Sequence, residues 1–301
     1  MSTLKSWLHA ARPRTLALSL SCVSLGGILA YADQSFDFRV FLLTILTTVL
    51  LQVLSNFAND YGDYTSGVDL QGRIGPERAM QSGQINQSQM KMGIGITAVL
   101  SLLSGIYLLM ASGLSQTAFY VLLGIGFLAI VAAITYTMGK NPYGYRGLGD
   151  LFVFIFFGLV GVLGTHYLIY DGFLWRNIWP AIAIGSLAVG VLNLNNMRDL
   201  EADKRSGKNT LPVHLGISRA KQYHYALILI SWMCLIIYSF LHFVGVWQFL
   251  FVLMVPVFIK HIKAVQGRIG GDLDPLLKQL SLSTLGLVVL FGLGWIVSYG
   301  I

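Results

Sequence analysis

Asn56, Asn59, Asp60 and Asp63 fall at offsets of zero, three, four and seven, so at 3.6 residues per turn one helical stripe carries all four side chains. Asp199 and Asp203 repeat the i, i+4 spacing, with Asn195 one turn earlier, and both clusters follow directly on long apolar runs. Carboxylates crowded on one face repel one another, and beside a membrane they are poorly hydrated, so a cation among them is what keeps them ionised. Mg²⁺ suits these donors: it takes carboxylate and amide oxygens, retains several waters, and is completed by substrate phosphates. The two clusters therefore read as a two-lobed diphosphate clamp. Asp60, Asp63, Asp199 and Asp203 are its candidate catalytic carboxylates, and Asn59 is a further candidate metal ligand. Ordinary N-caps and turns explain one such cluster as readily as chemistry does. Two at corresponding positions on one side of a membrane favour chemistry.

Both clusters run acid first and base after, from Asp63 through Asp69 to Arg78, and from Asp203 through Lys204 and Arg205 to Lys208. Metal ions bridging two diphosphate oxygens leave negative charge on the others, which Arg78 and Lys208 are placed to neutralise as the group departs. A third segment, 136–150, holds Lys140, Tyr143, Tyr145 and Arg146 among glycines and a proline that permit a tight path over the site. Its cations are candidate diphosphate contacts. Its tyrosines, with Tyr136, are candidates to face a developing carbocation, because ring faces attract positive charge. Interfacial aromatics beside basic loop residues are the competing reading for each. Asn56 and Asn195 are candidate supporting ligands. Arg12-Pro13-Arg14 sits at the same level, where it either meets an anionic aromatic substrate or anchors a helix, the anchor being favoured for Arg14. The six histidines show no HExxH or paired spacing and read as structural, and Cys22 and Cys234 have no CxxC partner.

These residues must be positioned by membrane helices. Hydrophobic residues make up 55% of the 301 and charged residues only 11%, far from the roughly 25% charge of soluble domains. A span needs about 20 mostly apolar residues, and nine candidates are present, at roughly 15–32, 38–57, 91–111, 116–137, 149–170, 178–197, 222–242, 245–264 and 279–299. Their apolar runs are continuous, which excludes a barrel's alternation. With the N-terminus inside, eighteen of the 20 Lys and Arg residues, Arg73 among them, fall inside, and only Arg39 and Arg176 fall outside. That asymmetry predicts N-in/C-out topology with both Asp clusters facing the cytoplasm. Basic residues distributed by loop in this way argue against nucleic acid as the partner, and no obligatory protein partner is evident. A cleaved leader ending near Ala30-Tyr31-Ala32 is the alternative to an uncleaved first span, which is the simpler reading.

No linker divides the chain, so residues 1–301 are expected to form a single membrane-embedded domain. Each acidic motif follows the second helix of a four-helix set. This suggests pseudo-repeat halves of roughly 1–140 and 141–265 plus a ninth helix, with a polar site between the halves.

The motifs Asn59-Asp60-x-x-Asp63 and Asp199-x-x-x-Asp203 resemble those of the UbiA superfamily of intramembrane prenyltransferases. Tyr143-Gly-Tyr-Arg-Gly-Leu-Gly-Asp150, Gly207-Lys-Asn-Thr-Leu-Pro212 and the opening Ala11-Arg-Pro-Arg-Thr15 resemble its menaquinone branch, and the likeness runs over nearly the whole chain. Asp69 comes six residues after Asp63, where the ubiquinone-type pattern places a third carboxylate four residues on; this departure favours the naphthoate branch. The resemblance implies an all-α integral membrane protein, with nine helices around a central cavity and a cytoplasmic cap from the loops after spans two and six. It further implies a bacterial cytoplasmic (inner) membrane location and Mg²⁺-dependent transfer, with two ions, of a polyprenyl chain from its diphosphate to 1,4-dihydroxy-2-naphthoate. The carboxylate is lost and demethylmenaquinone is formed. Such a donor is insoluble in water at one end and in lipid at the other, so a site at the bilayer surface serves both. A UbiA-type enzyme with another acceptor, such as 4-hydroxybenzoate, is the nearest alternative. A secondary transporter would place its charges at mid-span rather than at span ends, and a CDP-alcohol phosphotransferase would need a D-x-x-D-G-x-x-A-R motif that is absent.

Overall fold

The computed structural model describes residues 3–67 and 74–299; Asp69 and Arg73 lie outside the described residues. Apolar runs in lipid must pair every backbone N–H and C=O internally, which a helix does within one segment. Among the described residues nine helices are long and apolar enough to cross a membrane: Pro13–Ala32, Phe38–Thr65, Gln87–Ala111, Gln116–Thr135, Gly149–Tyr170, Trp175–Arg198, Leu211–Leu241, Val246–Gln266 and Gly270–Ser298. These are the first to ninth spans, and no strand occurs among the described residues. They match the nine expected from sequence, with differences at the ends. The second continues as helix through its whole acidic motif to Thr65, and the seventh begins at Leu211 rather than near 222. Its extra turns carry His214, Arg219 and Lys221 and are bent at Gly216, whose φ of 74° a glycine adopts without Cβ strain.

A short amphipathic helix, Leu4–Ala11, precedes the first span. Thr3 and Ser6 close its N-terminus as a capping box, and Trp7 packs edge-on against Phe57 at 5.3 Å. Leu4 and Leu8 stay exposed on the other face, the arrangement of a helix lying in a membrane interface. Arg12 then turns left-handed (φ 50°) and Pro13 opens the first span, where its missing N–H leaves no helical bond unmade.

The first and sixth spans are the most buried and the fourth is the least, which puts the first two at the centre of the bundle and the fourth against lipid. The fifth span was expected to be an ordinary α-helix, yet its middle, Phe154–Gly164, is π-helical. The wider turn aims Phe156, Phe157 and Val160 into a cavity. Gly158 meanwhile sits so close to the sixth span that a Cβ would lie 2.7 Å from the Ala181 carbonyl oxygen.

Both acidic motifs reach one end of the bundle. The Asn56 amide donates to the Ala11 carbonyl at 2.8 Å and to Thr15 Oγ1 at 3.0 Å, which places the end of the second span beside the start of the first. The Arg198 guanidinium reaches Asp274 at the start of the ninth. At the opposite end, Trp175 and Trp247 are exposed as interfacial rings, whereas Trp295, also near a span end, is buried against Phe291 and Tyr238.

Candidate active site

The stripe read from the first motif is present in the helix. Asn56, Asp60 and Asp63 are buried on one face of the second span and Asn59 is half-buried beside them. Asp63 is held at both oxygens: Arg78 Nη2 lies 2.5 Å from its Oδ2, and the Tyr145 hydroxyl donates to its Oδ1 at 2.5 Å. Arg78 Nη1 also donates to the Asn59 carbonyl at 2.6 Å. The loop after the second span is thereby folded back onto the motif that precedes it, with Ala79, Met80 and Ile85 buried beneath. Thr137, which sequence reasoning did not single out, donates to the Ala58 carbonyl and lies 3.2 Å from Asn59 Oδ1.

The second motif differs from the expected continuous helix. Helix ends at Arg198 and resumes at Leu200, with Asp199 between them at φ −93°, ψ 10°. The i, i+4 spacing survives, because the Asp199 amide donates to the Asn195 carbonyl and the Asp203 amide to the Asp199 carbonyl. Arg198, fully buried, organises this segment. Its Nε and Nη2 bond both Asp199 oxygens at 3.0 and 2.6 Å, Nη2 also reaches Asn195 Oδ1 at 2.8 Å, and Nη1 reaches Asp274 Oδ1 at 2.5 Å. A bidentate guanidinium of this kind fixes a carboxylate in orientation as well as charge.

Tyr145 joins the two motifs. While its hydroxyl donates to Asp63, its ring lies 5.2 Å under Lys208 Nζ, and Lys208 Nζ stands 3.9 Å from Asp203 Oδ1. The Asn209 amide donates to the Tyr145 carbonyl at 2.9 Å, so the third segment is sewn to the loop after the sixth span. Burial, followed by the charges of Asp199 and Asp63 and opposed by Lys208, pushes the Asp203 carboxyl up to about 6. Burial likewise raises the Tyr136, Tyr143 and Tyr145 phenols, which stay protonated as hydrogen-bond donors at neutral pH. Tyr143 stacks on Phe152 at 4.1 Å and meets Tyr136 edge-on at 5.2 Å, forming an aromatic wall.

Below these groups lies a cavity of about 440 Å³. Asn56, Asn59, Asp63, Arg78, Tyr143, Asn195 and Lys208 line its polar end, together with Arg12, Arg14 and Tyr136. Its walls toward the opposite end are apolar, from Leu109, Leu122, Ile130, Phe156 and Leu168 among others. Asp60, Asp199, Asp203 and Tyr145 stand behind this lining rather than in it. Lys140 and Arg146 are exposed and outside it, each beside a left-handed glycine, Gly139 and Gly147, on the outward side of their turns.

Among the described residues no three His, Cys, Asp or Glu side chains converge tightly enough to hold an ion alone. The donor set nonetheless fits Mg²⁺: hard carboxylate oxygens in ones and twos, with an amide nearby, suit an ion whose remaining positions are taken by water and substrate phosphate.

Residues 19–270 match the UbiA prenyltransferase family. The chain belongs to that family. It is 43% identical over 297 residues to a 1,4-dihydroxy-2-naphthoate octaprenyltransferase of Haemophilus influenzae, covering 98% of this chain and 96% of that one. Its fold is similar to that of a UbiA homologue from Aeropyrum pernix, with a TM-score of 0.67 at 17% identity, covering 94% of this chain and 98% of that one. A UbiA homologue from Archaeoglobus fulgidus bound to GPP and Mg²⁺ matches with a TM-score of 0.64 at 17% identity, over 97% and 99% of the two chains. At such identity these structures speak for the UbiA fold alone.

Proposed function

We propose that the protein transfers a polyprenyl chain from its diphosphate to 1,4-dihydroxy-2-naphthoate with loss of the carboxylate, in a bacterial cytoplasmic membrane, with its site on the cytoplasmic side. The carrying observation is one cavity with the Asp63 carboxylate and several cations at one end and apolar walls at the other, beside a relative at 43% identity named for this reaction. The net chemistry balances without a redox partner. The allylic C–O bond breaks with its electron pair leaving on diphosphate, the allylic carbon bonds the ring carbon bearing the carboxylate, and CO₂ departs leaving its bonding pair in the ring.

Asp60, Asp63, Asp199 and Asp203, with Asn59, are assigned to Mg²⁺, two ions being the reading of two motifs. Bound there, the metal neutralises charge growing on the departing diphosphate. Arg78 and Lys208 already sit within ion-pair reach of Asp63 and Asp203, so a small side-chain shift turns them toward phosphate oxygens. Tyr136 and Tyr143 line the cavity, the Tyr143 hydroxyl donating to the Ala132 carbonyl, and there ring faces favour an allylic cation while the enclosing loops keep water from it. Those loops, after the second, fourth and sixth spans, are the proposed cytoplasmic cap.

The test is a purified-protein assay with an all-trans polyprenyl diphosphate. Dihydroxynaphthoate should be prenylated and decarboxylated in preference to 4-hydroxybenzoate, and EDTA should stop the reaction until Mg²⁺ is restored. Equal use of both acceptors, or full turnover in chelator, would overturn the assignment.

A further inference from the structure

The polar end of the cavity also carries cations that the diphosphate clamp does not employ. Leu18 of the first span, Val191 and Leu192 of the sixth and Leu277 of the ninth form apolar walls, and Arg14 and Lys278 stand at their edge. Four carboxylates in the neighbourhood are matched to other bases. Asp63 meets Arg78, Asp203 meets Lys208 and Asp199 meets Arg198. Asp274, one turn before Lys278 on the same helix, is engaged by Arg198 at 2.5 Å and by Arg14 at 3.8 Å. Among the described residues no carboxylate lies within salt-bridge distance of Lys278. An ammonium held at a cavity mouth with no protein counter-charge raises the local concentration of anions.

The acceptor of the proposed reaction is a flat bicyclic ring carrying one carboxylate, which needs apolar walls for its faces and a cation for its edge. We infer that Lys278, with Arg14 beside it, binds the carboxylate of the aromatic acceptor, whose rings lie between the first, sixth and ninth spans. This rests on the acceptor assigned above. Arg78 and Lys208 are thereby reserved for diphosphate, and the two anionic substrates enter one cavity against separate sets of cations. The carboxylate is whole in the bound acceptor and while the allylic carbon bonds the ring, so the pairing with Lys278 stabilises both states alike and is lost only as CO₂ leaves. Its removal therefore acts on KM rather than kcat.

Steady-state kinetics on the purified full chain test this directly. Lys278→Met should raise KM for dihydroxynaphthoate about fivefold, the scale of one partly exposed ion pair, while kcat and the KM for prenyl diphosphate stay unchanged. Lys278→Arg should restore the wild-type KM. As a competing ligand, 1,4-dihydroxynaphthalene, with the same rings and no carboxylate, should inhibit wild type and Lys278→Met with equal constants. An unshifted KM in Lys278→Met, or equal weakening of the carboxylate-free ring, overturns the role of Lys278 and leaves the acceptor assignment standing. A wild-type protein that does not prenylate dihydroxynaphthoate overturns both.

Discussion

Asp63 is gripped from two directions, by a buried guanidinium and by a phenol, and those two partners come from two different loops later in the chain. Removing its carboxylate strips the site of a proposed metal ligand and leaves Arg78 buried with one partner fewer. Asp63→Ala, and likewise Asp60→Ala, Asp199→Ala and Asp203→Ala, should abolish transfer while the protein still inserts in the membrane; turnover near wild type in any of them would defeat the clamp. Tyr145→Phe is a finer probe. It deletes the hydrogen bond to Asp63 but keeps the ring under Lys208, and bonds to charged groups are worth about 1.5–3 kcal/mol. We expect turnover to fall roughly tenfold or more, by the conversion of about 1.4 kcal/mol per decade, with the Lys208→Met variant losing diphosphate affinity instead. At this scale the sequence displayed the motif carboxylates, because their spacing is local. It hid Arg198, Asp274, Thr137 and Lys278, whose partners or shared cavity come from helices far along the chain: Arg198 and Asp274 are 76 residues apart.

Helices deliver these side chains only if they approach closely enough, and Gly62 is where the second span does so. Lying between Asp60 and Asp63, it faces Thr137 at the end of the fourth span. A Cβ there would fall 2.5 Å from Thr137 Oγ1 and 2.6 Å from its carbonyl oxygen. Backbone cannot move aside as a flexible side chain can, so Gly62→Ala must push the second span away from the third segment. Overpacking of this kind costs about 1–3 kcal/mol, and here the displaced groups are Asp60, Asp63 and their partner Tyr145. Gly62→Ala should therefore lose most transfer activity as well as thermal stability. Gly95→Ala on the third span, where a Cβ meets open space, should lose neither, and equal effects of the two would show that the close approach is unimportant. The nine spans were legible as elements because a continuous apolar run in lipid has one low-energy conformation. Their internal departures were not legible. The π-helical middle of the fifth span and the interruption at Asp199 leave no mark in the hydropathy of the sequence.

The whole molecule has two ends built on different principles. The end bearing the acidic motifs gathers charged residues around a cavity, in ion pairs that substrate can redistribute. The far end closes on itself: Asp33, at the end of the first span, accepts from Arg176 and from His166 Nε2, the latter at 2.8 Å, and Arg176 bonds Tyr238. Four spans, the first, fifth, sixth and seventh, are thus tied together away from the acidic motifs. The sequence marked Arg176 only as one of two exceptions to the basic-side count, since a count assigns sides and not partners. Asp33 is nearly buried and His166 fully so, whereas Arg176 is partly exposed, which reduces what the network contributes. Removing one member of a buried charged group costs about 3–5 kcal/mol, and exposure of Arg176 brings the expectation to the lower limit. Asp33→Asn should lower the thermal midpoint of the purified protein by several degrees. KM for both substrates should stay as in wild type, because the tie lies at the opposite end of the bundle from the clamp. A variant with unchanged midpoint would show that packing alone holds this end, and a variant with raised KM would show that the two ends are mechanically coupled.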